Sequence, residues 1–250
     1  MNVRCVSAHF SECGHRRTVN QDAVFVSETG ALSVYLLADG MGGHSDGELA
    51  SQGVVAAVKA WLEKESVPGD ASMPELLQGL MLCLKEENSR IFHTYNTGGR
   101  ICGTTLVLLV VFQKMYAILS VGDSRIYRLI GRHAQQITTD DVWETDLSMT
   151  AGLSEEQIRT HPNHGKLLRA LGTTESLLLH RQTGPLQGKT VFLLCSDGIY
   201  KYCDTGTLSL ACKSAKKSEE KLKKALSLLE NKAVDNGTRD NYSAILVRTG

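Results

Sequence analysis

The sequence lacks the cysteine patterns that build disulfide frameworks or zinc ribbons. Its seven cysteines are odd in number, lie scattered between Cys5 and Cys212, and include no CxxC pair. Extracellular frameworks pair their cysteines and zinc ribbons space them closely, so neither is indicated. Free thiols suit a reducing compartment, and we therefore expect a cytoplasmic protein.

Long apolar runs are also missing. The longest, Leu106–Phe112, is far shorter than the ~20 residues that span a bilayer. The first ten residues, MNVRCVSAHF, have no charged head followed by an apolar segment, as a signal peptide would. We expect neither a membrane association nor secretion.

An excess of charge of either sign is absent, because 27 basic and 27 acidic side chains cancel. The chain therefore has no overall field that would attract nucleic acid, and we expect no nucleic-acid partner. A chain of 250 residues with 42% hydrophobic content can bury one sizeable core, and we predict a single domain over residues 1–250.

What the chain does contain is a series of short segments rich in Val, Leu, Ile and Tyr, which is typical of β-strands. The gaps 113–114 and 122–124 are too short for helical crossovers, so the strands on either side of each gap should pair antiparallel. Apolar residues at 3–4 spacing predict helices, and the whole predicts an α+β layered fold. The predicted strands are 23–26, 33–38, 104–112, 115–121, 125–130, 190–195 and 242–247, and the predicted helices are 48–64, 74–95 and 219–234.

Two segments between these elements are predicted to be irregular. Residues 66–72, which contain Pro68 and Gly69, should form a loop between the first two helices. Residues 139–165 are polar and weakly periodic, and they interrupt the regular succession of strands. We predict that this second segment is an inserted flap.

Five aspartates border the apolar segments: Asp22, Asp39, Asp123, Asp197 and Asp240. Asp-Gly and Gly-Asp are ordinary turn dipeptides, so a turn explains any single one of these aspartates. It explains five of them together less well. If they converge, two carboxylates about 4 Å apart repel by about 4 kcal/mol at an effective dielectric near 20, so the cluster must take up protons or bind cations. Oxygen ligands without nearby histidine or CxxC favour Mg²⁺ or Mn²⁺ over Zn²⁺.

The glycine-rich segment after Asp39 allows another interpretation. A strand followed by GMGGHS and a helix is similar to a dinucleotide-binding loop. The spacing here is GxGxxS, however, and Asp39 would repel a pyrophosphate. We therefore interpret Gly40 as a residue that lets the backbone approach a metal ion and offer its carbonyl oxygen.

Seven motifs together resemble the metal-dependent protein phosphatase family (PPM, or type 2C Ser/Thr phosphatases) in its bacterial form. They follow the family's order and spacing from residue 14 to residue 247. The motifs are GHRRTVNQDA (14–23), LLADGMGGHSDGELAS (36–51), GTTL (103–106), SVGDSR (120–125), LLRALG (167–172), CSDGIY (195–200) and RDNYSAI (239–245).

The resemblance implies a four-layer α-β-β-α sandwich of two mainly antiparallel sheets flanked by helices, with two Mn²⁺ or Mg²⁺ ions at one end. Asp39 would bridge the ions and Gly40 would add its carbonyl. Asp197 and Asp240 would complete the first site, and Asp22 would act at the same centre.

Two more residues match family positions beside these ligands. Asp123 matches a residue that joins Asp197 in a third, weaker metal site of bacterial members. Arg17 matches the arginine that binds the substrate phosphate. A solvated arginine is the alternative interpretation of Arg17.

The activity implied is hydrolysis of phosphoserine and phosphothreonine in proteins by a metal-activated water, without a covalent enzyme intermediate. Asp22, Asp39 and Asp197 would be the catalytic residues. The partners implied are phosphorylated proteins and a bacterial Ser/Thr kinase that the enzyme opposes, and we expect a monomer.

The chain departs from the family's pattern at two positions. Gln21 replaces a glutamate of many members, which predicts weaker metal affinity. Met41 stands where animal members carry a histidine proposed as general acid. His44 in the same loop is a candidate for that role, although a solvent-facing loop histidine is the simpler interpretation. A catalytically weak regulatory or binding module therefore remains the alternative function, and Gln21 alone supports it.

Overall fold

The computed structural model describes residues 3–29, 32–42, 46–64 and 71–250. Within them, two antiparallel sheets pack face to face and helices cover both outer faces, which confirms the four-layer α-β-β-α sandwich. The strands are β1 (Cys5–Glu12), β2 (Asp22–Thr29), β3 (Leu32–Gly42), β4 (Cys102–Thr104), β5 (Leu106–Phe112), β6 (Met115–Val121), β7 (Arg125–Ile130), β8 (His133–Gln136), β9 (His180–Pro185), β10 (Thr190–Cys195) and β11 (Tyr242–Thr249). One sheet has the order β1-β11-β10-β7-β8, and the other has the order β2-β3-β5-β6-β9 with β4 paired to β3.

The helices divide between the two outer faces. The helices are α1 (Asp46–Lys64), α2 (Met73–Tyr95), α3 (Leu147–Thr150), α4 (Glu155–Thr160), α5 (Asp197–Tyr200), α6 (Thr205–Ala215) and α7 (Glu219–Asp235). The longer pair α1 and α2 covers the sheet that contains β3, and α6 and α7 cover the sheet that contains β10. None of the helices in the described ranges combines the length and apolar character needed to cross a bilayer.

The alternation of side chains along β3 shows why its sequence is apolar at nearly every position. Val34 and Leu36 contribute to the core beneath α1 and α2, whereas Tyr35 and Leu37 contribute to the core between the sheets. Successive side chains of a strand point to opposite faces. A strand in the middle of four layers therefore has no face left for polar residues.

The two longest helices begin and pack as their sequences predict. At the start of α2, the Glu75 carboxylate accepts a hydrogen bond of 2.8 Å from the Ser72 backbone N–H, and Pro74 occupies the first turn. In α1, Val54 and Val58 lie one turn apart and are fully buried. The apolar stripe of each helix thus faces the sheet.

One predicted pairing is wrong. Strands β6 and β7 do not pair across residues 122–124, because β6 belongs to one sheet and β7 to the other. Gly122 adopts a positive φ of 96°, and its N–H donates to the Asp141 carboxylate, so the turn carries the chain between sheets. The predicted strand 104–112 is likewise split at Thr105, whose N–H donates to the Asp39 carbonyl.

The segment 139–165 contains a short 3-10 helix (Trp143–Thr145), α3 and α4. It is anchored at its start, where the Asp140 carboxylate pairs with Arg125 at 2.7 Å. Within it, the His161 ring stacks on Trp143 with 3.9 Å between centroids. Its role as a mobile flap stays a prediction. The predicted loop 66–72 lies largely outside the described residues, which resume at residue 71.

Candidate metal centre

Asp22 and Asp39 lie side by side because they are Cα partners in the antiparallel register of β2 and β3. The Asp39 backbone is fixed on its other side by Thr105, whose hydroxyl accepts from the Asp39 N–H at 2.9 Å and whose N–H donates to the Asp39 carbonyl at 2.8 Å. Asp39 does not end its strand, as the sequence suggested, because β3 continues to Gly42. The two carboxylates are therefore held by sheet hydrogen bonding rather than by a mobile turn.

Gly40 is required by the close approach of α1 to β3. A Cβ atom at this position would lie 2.1 Å from the Gly47 carbonyl oxygen and 2.7 Å from the Gln21 carbonyl oxygen. Real Cβ atoms do not approach backbone so closely, so only glycine fits without a backbone shift. The sequence predicted a close approach of Gly40 to a metal ion, and that contact stays a prediction. The close approach that the structure shows is to α1.

Three further aspartates reach the same end of the sandwich from different elements. Asp197 is the first residue of α5 and is separated from the end of β10 by one residue, Asp240 precedes β11, and Asp123 lies in the turn after β6. They line one cleft of about 340 Å³ together with Asp39. Other residues of its wall are Arg17, Gln21, Gly40, Met41, Thr105, Gly165 and Lys201.

Asp22 is buried behind this wall. Its exposed fraction is 6%, and it is not among the residues that line the cleft. Its Oδ2 atom accepts a hydrogen bond of 2.8 Å from the Ser196 hydroxyl, which itself accepts one of 3.0 Å from the Ser243 N–H. Asp22 thus joins the centre from beneath, next to Asp39.

Negative charge at this centre is unstable without a counter-charge. Burial raises the pKa of Asp39 well above its ordinary value, and repulsion from Asp22 and Asp197 raises it further. Burial also raises the pKa of Asp22 to about 7, and Asp197 and Asp240 add to the effect. Such a group of carboxylates binds either protons or cations.

The donor set fits hard divalent cations. Every acidic ligand is a carboxylate, and carboxylate oxygens are the ligands that Mg²⁺ and Mn²⁺ prefer. Asp22 Oδ1 is a buried oxygen with no hydrogen-bond partner in the part of the chain that the structure describes. Over the same residues, no three His, Cys, Asp or Glu side chains are already drawn together in the arrangement of an ion site.

Two cationic side chains hold carboxylates of the cleft. An Arg17 guanidinium N–H donates to Asp240 Oδ2 at 2.8 Å, and both side chains are about half exposed. The Lys201 ammonium donates to Asp197 Oδ2 at 2.7 Å. Arg17 therefore lies where the sequence placed it, at the centre, whereas Lys201 was not predicted from the sequence.

Sequence reasoning also missed the polar residues that position the ligands. The Asn241 side chain accepts from the Gln21 N–H at 2.9 Å and donates to the carbonyl oxygens of Cys13 and Val19, which ties the segment that carries Arg17 to β11. A signal was present, because Thr105, Ser196 and Asn241 all fall within the quoted motifs. Their function depends on partners that are distant in the sequence.

The predicted general acid, His44, lies outside the described residues. Met41, which stands at the position discussed for the acid, lines the cleft. A thioether cannot transfer a proton, so Met41 does not fill that role.

Comparison with known proteins agrees with the geometry. The family model for protein phosphatase 2C matches residues 11–237. The serine/threonine phosphatase stp of Listeria monocytogenes is 31% identical over 217 residues, which cover 86% of this chain and 83% of that protein.

Solved structures extend the likeness to nearly the whole chain. PppA of Pseudomonas aeruginosa, described as a regulatory component of its T6SS, is 29% identical with a TM-score of 0.82, and 98% of each chain is covered. The catalytic domain of the serine/threonine protein phosphatase PstP, solved with two manganese ions, is 28% identical with a TM-score of 0.77. That comparison covers 99% of this chain and 98% of the PstP chain.

Proposed function

The chain belongs to the protein phosphatase 2C family, and we propose that it hydrolyses phosphoserine and phosphothreonine in proteins with Mn²⁺ or Mg²⁺. The observation that supports this most directly is the convergence of Asp39, Asp197 and Asp240 on one cleft, with Asp22 buried behind them. Burial, with repulsion between the carboxylates added to it, raises the pKa values of Asp22 and Asp39, so their ionised forms are electrostatically costly here. Two divalent cations bound at this centre would offset that electrostatic cost.

Asp39, the Gly40 carbonyl oxygen, Asp197 and Asp240 would hold the two ions, with Asp39 shared between them, and Asp22 would serve the same centre. When bound, the two ions lower the pKa of water and neutralise charge on the phosphoryl oxygens. The β2–β3 register and the Ser196 hydroxyl hold Asp22 and Asp39 in place for this purpose.

Arg17 is the phosphate-binding residue of the proposal. Its planar guanidinium can donate two parallel hydrogen bonds to phosphate oxygens. In the structure it donates to Asp240 and is half exposed, so a substrate can reach it from solvent. Asp240 also raises the pKa of Arg17, which keeps the guanidinium charged.

His44 is proposed as the general acid that protonates the leaving serine or threonine oxygen, since its ordinary pKa lies near neutral pH. Asp123 with Asp197 is proposed as a third, weaker cation site. Residues 139–165 are proposed as a flap beside the cleft, because Gly165 forms part of its wall.

We propose that the protein is a monomeric, single-domain enzyme of the cytoplasm and that it opposes a Ser/Thr kinase. The balanced charge of the chain and its unpaired cysteines support this setting.

Hydrolysis of a phosphothreonine peptide tests the proposal. We expect turnover with Mn²⁺, and a loss of at least about 100-fold with EDTA or in Asp39→Asn, because charge neutralisation at phosphorus is lost. Asp204→Asn is the matched control. Asp204 is an exposed residue that caps α6, and the asparagine side chain retains an oxygen that can accept the capping hydrogen bond. Equal rates in all four samples would refute metal-dependent hydrolysis. Mn²⁺ binding without turnover by the wild type would indicate the regulatory module instead.

A further inference from the structure

The carboxylates of Asp123 and Asp197 each accept a hydrogen bond from the α5 segment itself. The Lys201 ammonium donates to Asp197 Oδ2 at 2.7 Å, and the Tyr200 hydroxyl donates to Asp123 Oδ2 at 3.1 Å. These are the two carboxylates proposed above for a third cation. The chain therefore supplies its own donors to that pair.

Lys201 is directed to Asp197 by local helical geometry. The two residues are four apart on one turn, and the Lys201 backbone is helical, with its N–H donating to the Asp197 carbonyl at 3.1 Å. An acidic residue four positions before a lysine is the favourable order for such a pair. The contact therefore follows from the sequence DGIYK and does not need a distant element to place it.

The Lys201 side chain also lines the cleft that contains the rest of the cluster. Asp39, Asp123 and Asp197 all belong to the wall of that cleft. The ammonium thus places a positive charge among carboxylates whose charge a third cation would otherwise neutralise.

Tyr200 is fixed from the opposite side. The Arg125 guanidinium lies 3.6 Å over the Tyr200 ring and pairs with Asp140 at 2.7 Å. The donor to Asp123 is therefore held by an ion pair at the base of segment 139–165.

We propose that Lys201 is a built-in competitor for a third cation at Asp123 and Asp197. A divalent ion needs carboxylate oxygens at about 2.0–2.6 Å, and the ammonium already occupies one of them. Like charges this close repel, so the ion binds only when Lys201 withdraws. This inference rests on the proposed two-metal phosphatase function. In it, Lys201 weakens binding at the third site, so that only two ions bind tightly.

Titration with Mn²⁺, followed by calorimetry and by the electron paramagnetic resonance of free Mn²⁺, tests the proposal without measuring turnover. In Lys201→Ala we expect binding at a third site to tighten at least tenfold, which corresponds to about 1.4 kcal/mol. The first two sites should change less. Lys201→Arg keeps the charge and should bind as the wild type does, and Lys201→Ala combined with Asp123→Asn should lose the third site again.

Lys224→Ala is the matched control, because Lys224 forms the same four-residue pair with Glu220 at 2.6 Å on the exposed surface of α7. It should leave all Mn²⁺ affinities unchanged. If the wild type and Lys201→Ala bind a third ion equally, or if both bind only two ions, the role of Lys201 is overturned and the two-metal centre is not. Binding of no ion by either protein would overturn the dinuclear centre and this inference with it.

Discussion

Replacing Asp22 by asparagine should make the metal-free protein more stable. A pKa of about 7 for Asp22, against an ordinary 3.8, means that the ionised carboxylate destabilises the fold by about 4 kcal/mol at pH 8. An amide of the same shape removes this charge and can still accept from the Ser196 hydroxyl. The amide N–H₂ group would lie where Asp22 Oδ1 has no hydrogen-bond partner, and burying it unpaired reduces the benefit. We therefore expect the free energy of unfolding to rise by about 2–4 kcal/mol.

The gain should depend on pH in a defined direction. Because the folded-state pKa is raised, the contribution of Asp22 to stability is complete below pH 3.8 and is lost as pH rises towards about 7. The wild type therefore loses stability through this window, while the asparagine variant does not lose this part. At pH 5, the advantage of the variant should shrink to less than about 2 kcal/mol.

Urea denaturation in EDTA at pH 8 and pH 5 measures both effects. Asp235→Asn, an exposed aspartate at the end of α7, is the control and should change stability by less than about 0.5 kcal/mol at either pH. Adding Mn²⁺ should stabilise the wild type more than the Asp22 variant, because ligands stabilise the state that binds them. An Asp22 variant no more stable than the wild type in EDTA at pH 8 would refute the electrostatic reasoning.

Two further substitutions test the phosphate site and the close approach at Gly40. Arg17→Ala should raise KM for a phosphothreonine peptide about tenfold or more while changing unfolding free energy by less than about 1 kcal/mol, because its ion pair with Asp240 is half exposed; an unchanged KM would exclude the phosphate role. Gly40→Ala should destabilise the protein by about 2–3 kcal/mol in urea, because its Cβ would overlap the Gly47 carbonyl; an unchanged midpoint would show that α1 can shift freely.

The buried parts of the fold could be predicted because four layers leave the central strands no polar face. The predicted limits of β6, β7 and β10 match the structure residue for residue; β6 and β10 are largely buried and β7 is half buried. Strand β1 was missed because its sequence, CVSAHFSE, mixes polar and apolar residues in a half-exposed edge strand. Helix α6 was missed because Gly, Ser and Thr of TGTLSLACKSA have low helix propensity, although Asp204 caps its first turn.

The site divides in the same way. The convergence of Asp39, Asp123, Asp197 and Asp240 on one cleft could be predicted from the motifs, while their roles as ligands stay predictions. The hydrogen bonds that position them could not be predicted, since Asn241 bonds to Gln21 across 220 positions of sequence and Ser196 bonds to Asp22 across 174. Lys201 was missed for another reason. Its contact with Asp197 is local, but a lysine at the end of a helix is ordinarily solvated, and the packing of α5 beside Asp123 is what places this pair in the cleft.

The position of the centre follows from how the chain crosses between the sheets. Asp22 and Asp39 belong to β2 and β3 in one sheet, whereas Asp197 and Asp240 flank β10 and β11 in the other. Their charges repel across the boundary between the sheets, and the apolar core between the sheets holds them together. Divalent ions at this boundary would replace that repulsion by attraction. Metal binding should therefore stabilise the packing of one sheet against the other, in addition to its proposed role in catalysis.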